Sequence, residues 1–195
     1  MEQEKIDLST VLYFDTETTG TAKDSRVVQL AWQFAGATHN YIIKPDGYEI
    51  PEAASDIHRI TTDVALEKGV PIRQALEEFI VDAQKARYMC AHNLNFDKTR
   101  LIYEIGLLYP EEEVAEYTAL FDKGRCLDTM MSTVSYVKAP FANGRSGYKW
   151  PKLCELRAKL IEDGKTFSDF NAHDANEDVR CLAECHAHLV EMGLM

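Results

Sequence analysis

The chain has 195 residues, 46% of them hydrophobic and 27% charged, which suits a single domain over 1–195 with its core spanning about 9–190. A net charge of −11 argues against loose, charge-driven binding to nucleic acid, and no apolar run is long enough to cross a membrane. The start lacks the layout of a secretory signal, and five cysteines without regular spacing suggest a reducing, cytoplasmic setting with no disulfide framework.

Val11-Leu12-Tyr13-Phe14 is a run of strand formers leading into Asp15-Thr16-Glu17-Thr18-Thr19-Gly20, and the strand is expected to stop near Thr19. Side chains two apart on a strand leave the same face, so Asp15 and Glu17 should project side by side. Such carboxylates repel each other unless something positive lies between them, and a hard divalent cation with oxygen ligands is the economical filler. An isolated Asp-x-Glu is more often a strand end with two solvated acids, and it is the residues downstream that overturn that reading.

Val27 to Ala35 alternates, with Val28, Leu30, Trp32 and Phe34 on one face, and predicts a half-buried strand. Gly36-Ala37-Thr38 should turn it into a third strand, His39 to Ile43, completing an antiparallel meander. Pro51 to Gly69 reads as partly helical, and Pro71 opens a helix with Ala75, Leu76, Phe79, Ile80 and Ala83 inward. Tyr88 to Ala91 is a short buried strand ending at His92-Asn93, followed by a helix from about Phe96 to Gly106. Asp97 falls on the apolar stripe of that helix with Leu101 and Ile105, where an unpaired charge is costly.

Glu111 to Glu116 reads as a solvated acidic run, Arg125 to Asp128 as a fifth strand, and Thr129 to Val137 as a helix. From Thr129 to Cys154 there is no acid, yet Lys138, Arg145, Lys149 and Lys152 occur beside Phe141, Tyr148 and Trp150. Tyr148, Lys149 and Trp150 are either a base-stacking, phosphate-contacting patch or a solvated loop whose Trp150 anchors the helix that Pro151 opens. The last helix starts at Asp174, where Asp174-Ala175-Asn176-Glu177 has capping-box spacing. Its apolar stripe is Cys181, Leu182, Cys185 and Leu189, with Asp178 on the same stripe and His173 on the loop before it. His92 is read as a structural hydrogen-bonder, His39, His186 and His188 as ordinary surface or helix-face residues, and Trp32 as core.

Asp15, Glu17, Asp97 and Asp178 thus sit where local pattern calls for burial or convergence. Two divalent ions would balance four such acids, and His173 suits a general base, imidazole being the side chain that as a class titrates near neutrality. Phosphodiester hydrolysis is the chemistry this set fits.

With these residues in place the chain resembles the DnaQ-like, or DEDDh, 3′–5′ exonucleases, a family that includes the epsilon proofreading subunit of bacterial DNA polymerase III. Asp15, Glu17, Thr19 and Gly20 match its first motif, Asp-x-Glu-x-Thr-Gly; His92, Asn93, Phe96 and Asp97 match the second; His173 and Asp178 match the third. The resemblance spans about Ser9 to Leu189. It implies an α/β, ribonuclease H-like fold: a five-stranded mixed sheet, its second strand antiparallel, with flanking helices. It also implies that Asp15, Glu17, Asp97 and Asp178 bind two magnesium or manganese ions, and that His173 activates the water.

The same resemblance places Thr18 against the terminal nucleotide and makes His58 the counterpart of a substrate-contacting histidine. The family usually has Gly after that histidine, so Arg59 implies a differently shaped loop. Phe96 either packs near the end base or joins the core. The implied reaction releases nucleoside 5′-monophosphates from nucleic acid 3′ ends, single-stranded DNA favoured, because related oligoribonucleases carry Met where this chain has Thr18. The alternatives are a 3′–5′ exoribonuclease and a DNA polymerase-associated proofreading subunit. The end at Met195, without the long tail by which the epsilon subunit holds its polymerase, weighs against the last.

Overall fold

The computed structural model describes residues 6–170 and 172–195. Five strands, β1 (Val11–Thr18), β2 (Val27–Phe34), β3 (Ala37–Ile42), β4 (Tyr88–Ala91) and β5 (Cys126–Asp128), form one sheet in the order β3-β2-β1-β4-β5. The first three run as the antiparallel meander the sequence predicts, while β4 and β5 lie parallel to β1. This is the ribonuclease H-like arrangement with an antiparallel second strand. The β2–β3 link is Ala35-Gly36, both at positive φ (50° and 83°), a two-residue hairpin that lets β3 start two residues earlier than expected.

Nine helices are described: α1 (Glu52–His58), α2 (Thr62–Lys68), α3 (Ile72–Lys85), α4 (Leu94–Leu108), α5 (Glu111–Ala119), α6 (Thr129–Ser132), α7 (Val134–Val137), α8 (Leu153–Glu162) and α9 (Ala175–Glu191). On one side of the sheet Leu12, Phe14, Leu30 and Trp32 pack with Phe79 of α3, Leu101 of α4 and Phe121. On the other, Val11, Tyr13, Ala31 and Cys90 pack with Val179 and Leu182 of α9. A central strand covered on both faces needs an unbroken apolar run, which Val11 to Phe14 supplies. No helix among the described residues is long and apolar enough to cross a membrane.

Several expectations are corrected. Val27 to Trp32 is buried on both faces, because α9 covers the side that alternation left to solvent. Gln29 survives there by donating to Asn40 (2.9 Å) and accepting from the Ala175 N–H (3.3 Å). Glu111 to Glu116 is the start of a helix: after Pro110, three glutamates in the first turn complement the positive end of the helix dipole. The helix expected from Thr129 to Val137 is two short ones, interrupted at Thr133, whose hydroxyl donates to the Thr129 carbonyl (2.6 Å). His186 is fully buried, its Nδ1 2.9 Å from the Tyr13 hydroxyl, and burial lowers it to about 4. Cys181 and Cys185 pack with Leu156, Leu160 and Leu189, as read from the sequence.

Candidate active site

Because β4 and β5 run parallel to β1, the carboxyl ends of all three open on one edge of the sheet, where open α/β folds form their crevices. Asp15 and Glu17 occupy the last turns of β1, opposite Ala31 and Gln29, with a register irregularity between Glu17 and Thr18. Asp97 arrives from the first turn of α4 and is 2% exposed. It accepts from the backbone N–H (3.0 Å) and hydroxyl (2.7 Å) of Thr16, the residue between the two strand acids. Asp178 comes from the first turn of α9 and accepts from the His173 N–H (3.0 Å). His173 itself is exposed and holds φ at 68°, so the chain turns sharply before Asp174 caps α9 through the Asn176 N–H (3.0 Å). Glu177 does not close the expected box; it pairs with Arg180.

Ligand-capable atoms of Glu17, His173 and Asp178 all lie within 4.8 Å of one another, close enough for one metal ion to reach all three. Asp15 and Asp97 are outside that triplet. They belong to the same cluster electrostatically, since Asp97, Asp178, Glu17 and Asp174 all act on Asp15. Burial first, then those neighbouring charges, holds Asp15 well above the usual carboxylate range. Burial, followed by Asp178 and Asp97, pushes Glu17 up to about 8. Burial lifts Asp97 to about 7 against the lowering bonds from Thr16, and Asp178 to about 6 against the bond from His173. None of the main influences on these four acids comes from a lysine or arginine. An oxygen-rich set this short of positive charge fits hard divalent cations.

Two supporting residues escaped the sequence reading. Thr16 is the variable position of Asp-x-Glu, and nothing in its type announces that it clamps α4 to β1. Asp128 ends β5 and accepts from the N–H groups of Asn93 (3.3 Å), Leu94 (3.1 Å), Met130 (2.9 Å) and Met131 (3.1 Å). One carboxylate therefore caps α6 and secures the left-handed turn at Asn93 (φ 72°) that launches α4. An aspartate between a strand and a helix was the available signal. His92 is structural in geometry: one ring nitrogen meets the Thr129 hydroxyl and the other the Pro151 carbonyl, both at 2.9 Å.

The residues expected to touch substrate are more dispersed. Thr18 is buried, its hydroxyl donating to the Gly20 carbonyl (2.8 Å). His58, 5% exposed, lies beside the Thr18 backbone; Nδ1 accepts from the Ile60 N–H (3.2 Å) and Nε2 has no well-directed partner. Arg59 adopts φ 64°, the left-handed region a glycine favours, so the helix end is formed as a glycine would form it, with a strained residue. Phe96 is half-buried under the Arg100 guanidinium (4.8 Å to the ring centre) and is not in the core. Tyr148 is 49% exposed, whereas Lys149 is held by Glu155 (2.7 Å) at the start of α8. Trp150, 64% exposed, does not anchor that helix.

The sheet order, the flanking helices and the acid-lined edge define a ribonuclease H-like α/β nuclease fold. Solved structures with it include Escherichia coli exonuclease I in complex with a dA16 oligonucleotide (TM-score 0.67, 21% identity, 93% of this chain). They also include the nuclease domain of 3′hExo, a DEDDh family member bound to rAMP (0.69, 14%, 94% of this chain and 92% of that one). A third is exonuclease X in complex with 5′ overhanging duplex DNA (0.60, 19%, 93% and 92%). The chain spans only 40% of that exonuclease I. No family model matches the sequence. The uncharacterized exonuclease CP81 of Escherichia phage 186, however, is 31% identical over 183 residues, 91% of this chain and 84% of the phage protein. The chain belongs to the DnaQ-like exonuclease family.

Proposed function

We infer that the protein is a metal-dependent 3′–5′ exonuclease that releases nucleoside 5′-monophosphates, with single-stranded DNA as the favoured substrate. The observation that carries this is the gathering of four carboxylates from β1, α4 and α9 at one sheet edge with their charge uncompensated. Asp15, Glu17, Asp97 and Asp178 would hold two magnesium or manganese ions. Such ions supply Lewis-acid stabilisation of both the attacking and the leaving oxygen in an in-line displacement at phosphorus.

The protein's own part is positioning and proton transfer. Thr16 fixes Asp97 against the strand acids by two hydrogen bonds, so the ligand set is aligned before substrate arrives. His173, exposed on the loop before α9 and within 4.8 Å of Glu17 and Asp178, takes the proton of the attacking water at its imidazole. Asp178 restrains that loop through the His173 N–H. Thr18, His58 and Phe96 flank the acids and are assigned to the terminal nucleotide. The DNA-bound neighbours support a DNA substrate and the rAMP-bound one supports testing RNA beside it.

The deciding experiment digests end-labelled DNA and RNA, single- and double-stranded, with magnesium and again with chelator, using wild type and Asp15→Ala. The expected result is stepwise loss of mononucleotides from the 3′ end of single-stranded DNA, abolished by chelator and by the substitution. Cleavage by Asp15→Ala, or cleavage unaffected by chelator, would overturn the metal-dependent reading.

A further inference from the structure

The acid-free segment between β5 and α8 is the part of this acidic chain that the catalytic reading leaves unused. It is tied to the sheet edge at both ends. Its upstream root follows Asp128, which holds the Asn93-Leu94 turn, and its downstream root is the Pro151 carbonyl bonded to His92. Both roots therefore abut the turn that presents Asp97. Between them the chain folds back on itself: Pro140 and Tyr148 form an antiparallel bridge, and the Lys149 N–H donates to the Ala139 carbonyl (2.9 Å).

The arm displays side chains that a solvated loop does not need. Trp150 is 64% exposed and Tyr148 49% exposed, while Arg145 lies over the Phe141 ring (5.4 Å). Lys138, Arg145 and Lys152 are exposed, no acid occurs from Thr129 to Cys154, and the whole chain carries −11. Exposed aromatic faces interleaved with cations match unpaired bases on a phosphate backbone, and they match little else that an acidic enzyme would hold beside its acids.

We propose that this arm is a stacking platform for the unpaired nucleotides upstream of the 3′ end, with Trp150 as its principal surface. The proposal rests on the exonuclease reading and adds to it a site outside the catalytic cluster. It assigns the preference for single strands to the arm, because a paired base cannot offer its face to Trp150. It also explains how an acidic protein gains hold of a polyanion: the grip is stacking at one place, with few phosphate contacts.

Two measurements test it. The first needs no catalysis: with chelator present, a single-stranded 12-mer is titrated while intrinsic fluorescence is followed. The chain has two tryptophans, and Trp32 is fully buried, so quenching reports on Trp150. Quenching is expected with the single strand and absent with the blunt duplex. The second compares kcat/KM on the 12-mer with that on a dinucleotide, for wild type, Trp150→Ala and Trp150→Phe. Trp150→Ala should lose about tenfold or more on the 12-mer, by the worth of one stacked base, and far less on the dinucleotide; Trp150→Phe should recover most of it. Equal losses on both substrates, no loss on either, or quenching by duplex as strong as by single strand would each overturn the platform. Failure of wild type to cleave the dinucleotide and the 12-mer alike would instead remove the exonuclease reading, and quenching would still judge the arm.

Discussion

If the four acids are forced together without cations, the metal-free protein should lose stability as pH rises from 6.5 to 8.5. The sign follows from the direction of the shifts. A carboxyl whose folded pKa is raised binds a proton that the unfolded chain has already released, so its stabilisation is complete at low pH and disappears as pH climbs through the folded value. Glu17, at about 8, accounts for about 2 kcal/mol across this window and Asp97, at about 7, for about 1 kcal/mol, with Asp15 adding to both. Three histidines work in the opposite sense within this window. Burial lowers His58, His92 and His186, whereas unfolded imidazoles are still about half protonated at pH 6.5, so together they offset up to about 1 kcal/mol of the loss. The ion-paired Glu155, Asp163 and Glu191 are lowered and finish titrating well below the window.

A net loss of about 2 kcal/mol corresponds to a fall in melting temperature of roughly 4–8 °C for a chain of this size. Thermal unfolding in chelator at the two pH values measures it directly. Magnesium at about a hundred times its dissociation constant should return about 2.7 kcal/mol at pH 8.5. It should return much less at pH 6.5, where protons compete for the same oxygens. A melting temperature that is flat or rising across the window in chelator, or a magnesium effect equal at both pH values, would refute the reasoning.

Arg26→Ala should cost about 3–5 kcal/mol in urea denaturation, because it strands the fully buried Glu104 carboxylate that now accepts two Arg26 bonds (2.8 and 2.9 Å) and one from the Val27 N–H. A loss under about 1 kcal/mol would mean that solvent reaches Glu104. His173→Ala should slow cleavage by about a hundredfold or more while calorimetric manganese binding persists. Parallel loss of both would make His173 a ligand or a structural residue. Binding of single-stranded DNA in chelator should weaken only gently with salt, with a logarithmic slope no steeper than about −4, since at most a handful of cations face the strand. A steep slope would place the substrate elsewhere.

The parts of the structure that were legible in the sequence are those where one residue's chemistry meets one element's period. Ala75, Leu76, Phe79, Ile80 and Ala83 mark the buried stripe of α3 by spacing alone, and all are buried. Asp97 and Asp178 betrayed themselves as acids on apolar stripes, and Asp97 is indeed 2% exposed. What stayed hidden depended on partners distant in the chain. The second face of β2 looked solvated because α9, nearly 150 residues later, is what covers it. His186 looked like a surface residue for the same reason, its partner being Tyr13. Arg59 implied a differently shaped loop, yet its backbone takes the left-handed conformation that a glycine there would favour. Thr16 acts through backbone and hydroxyl bonds that no residue pattern encodes, and Asp128 left only the mark of an aspartate between a strand and a helix.

Manganese binding measured by isothermal titration calorimetry, for wild type and for Asp97→Asn, tests the cation site most directly. Two ions per wild-type chain, with at least one lost on the substitution while the fold persists by circular dichroism, is the result expected. Absence of binding to wild type, or unchanged binding to Asp97→Asn, would contradict it.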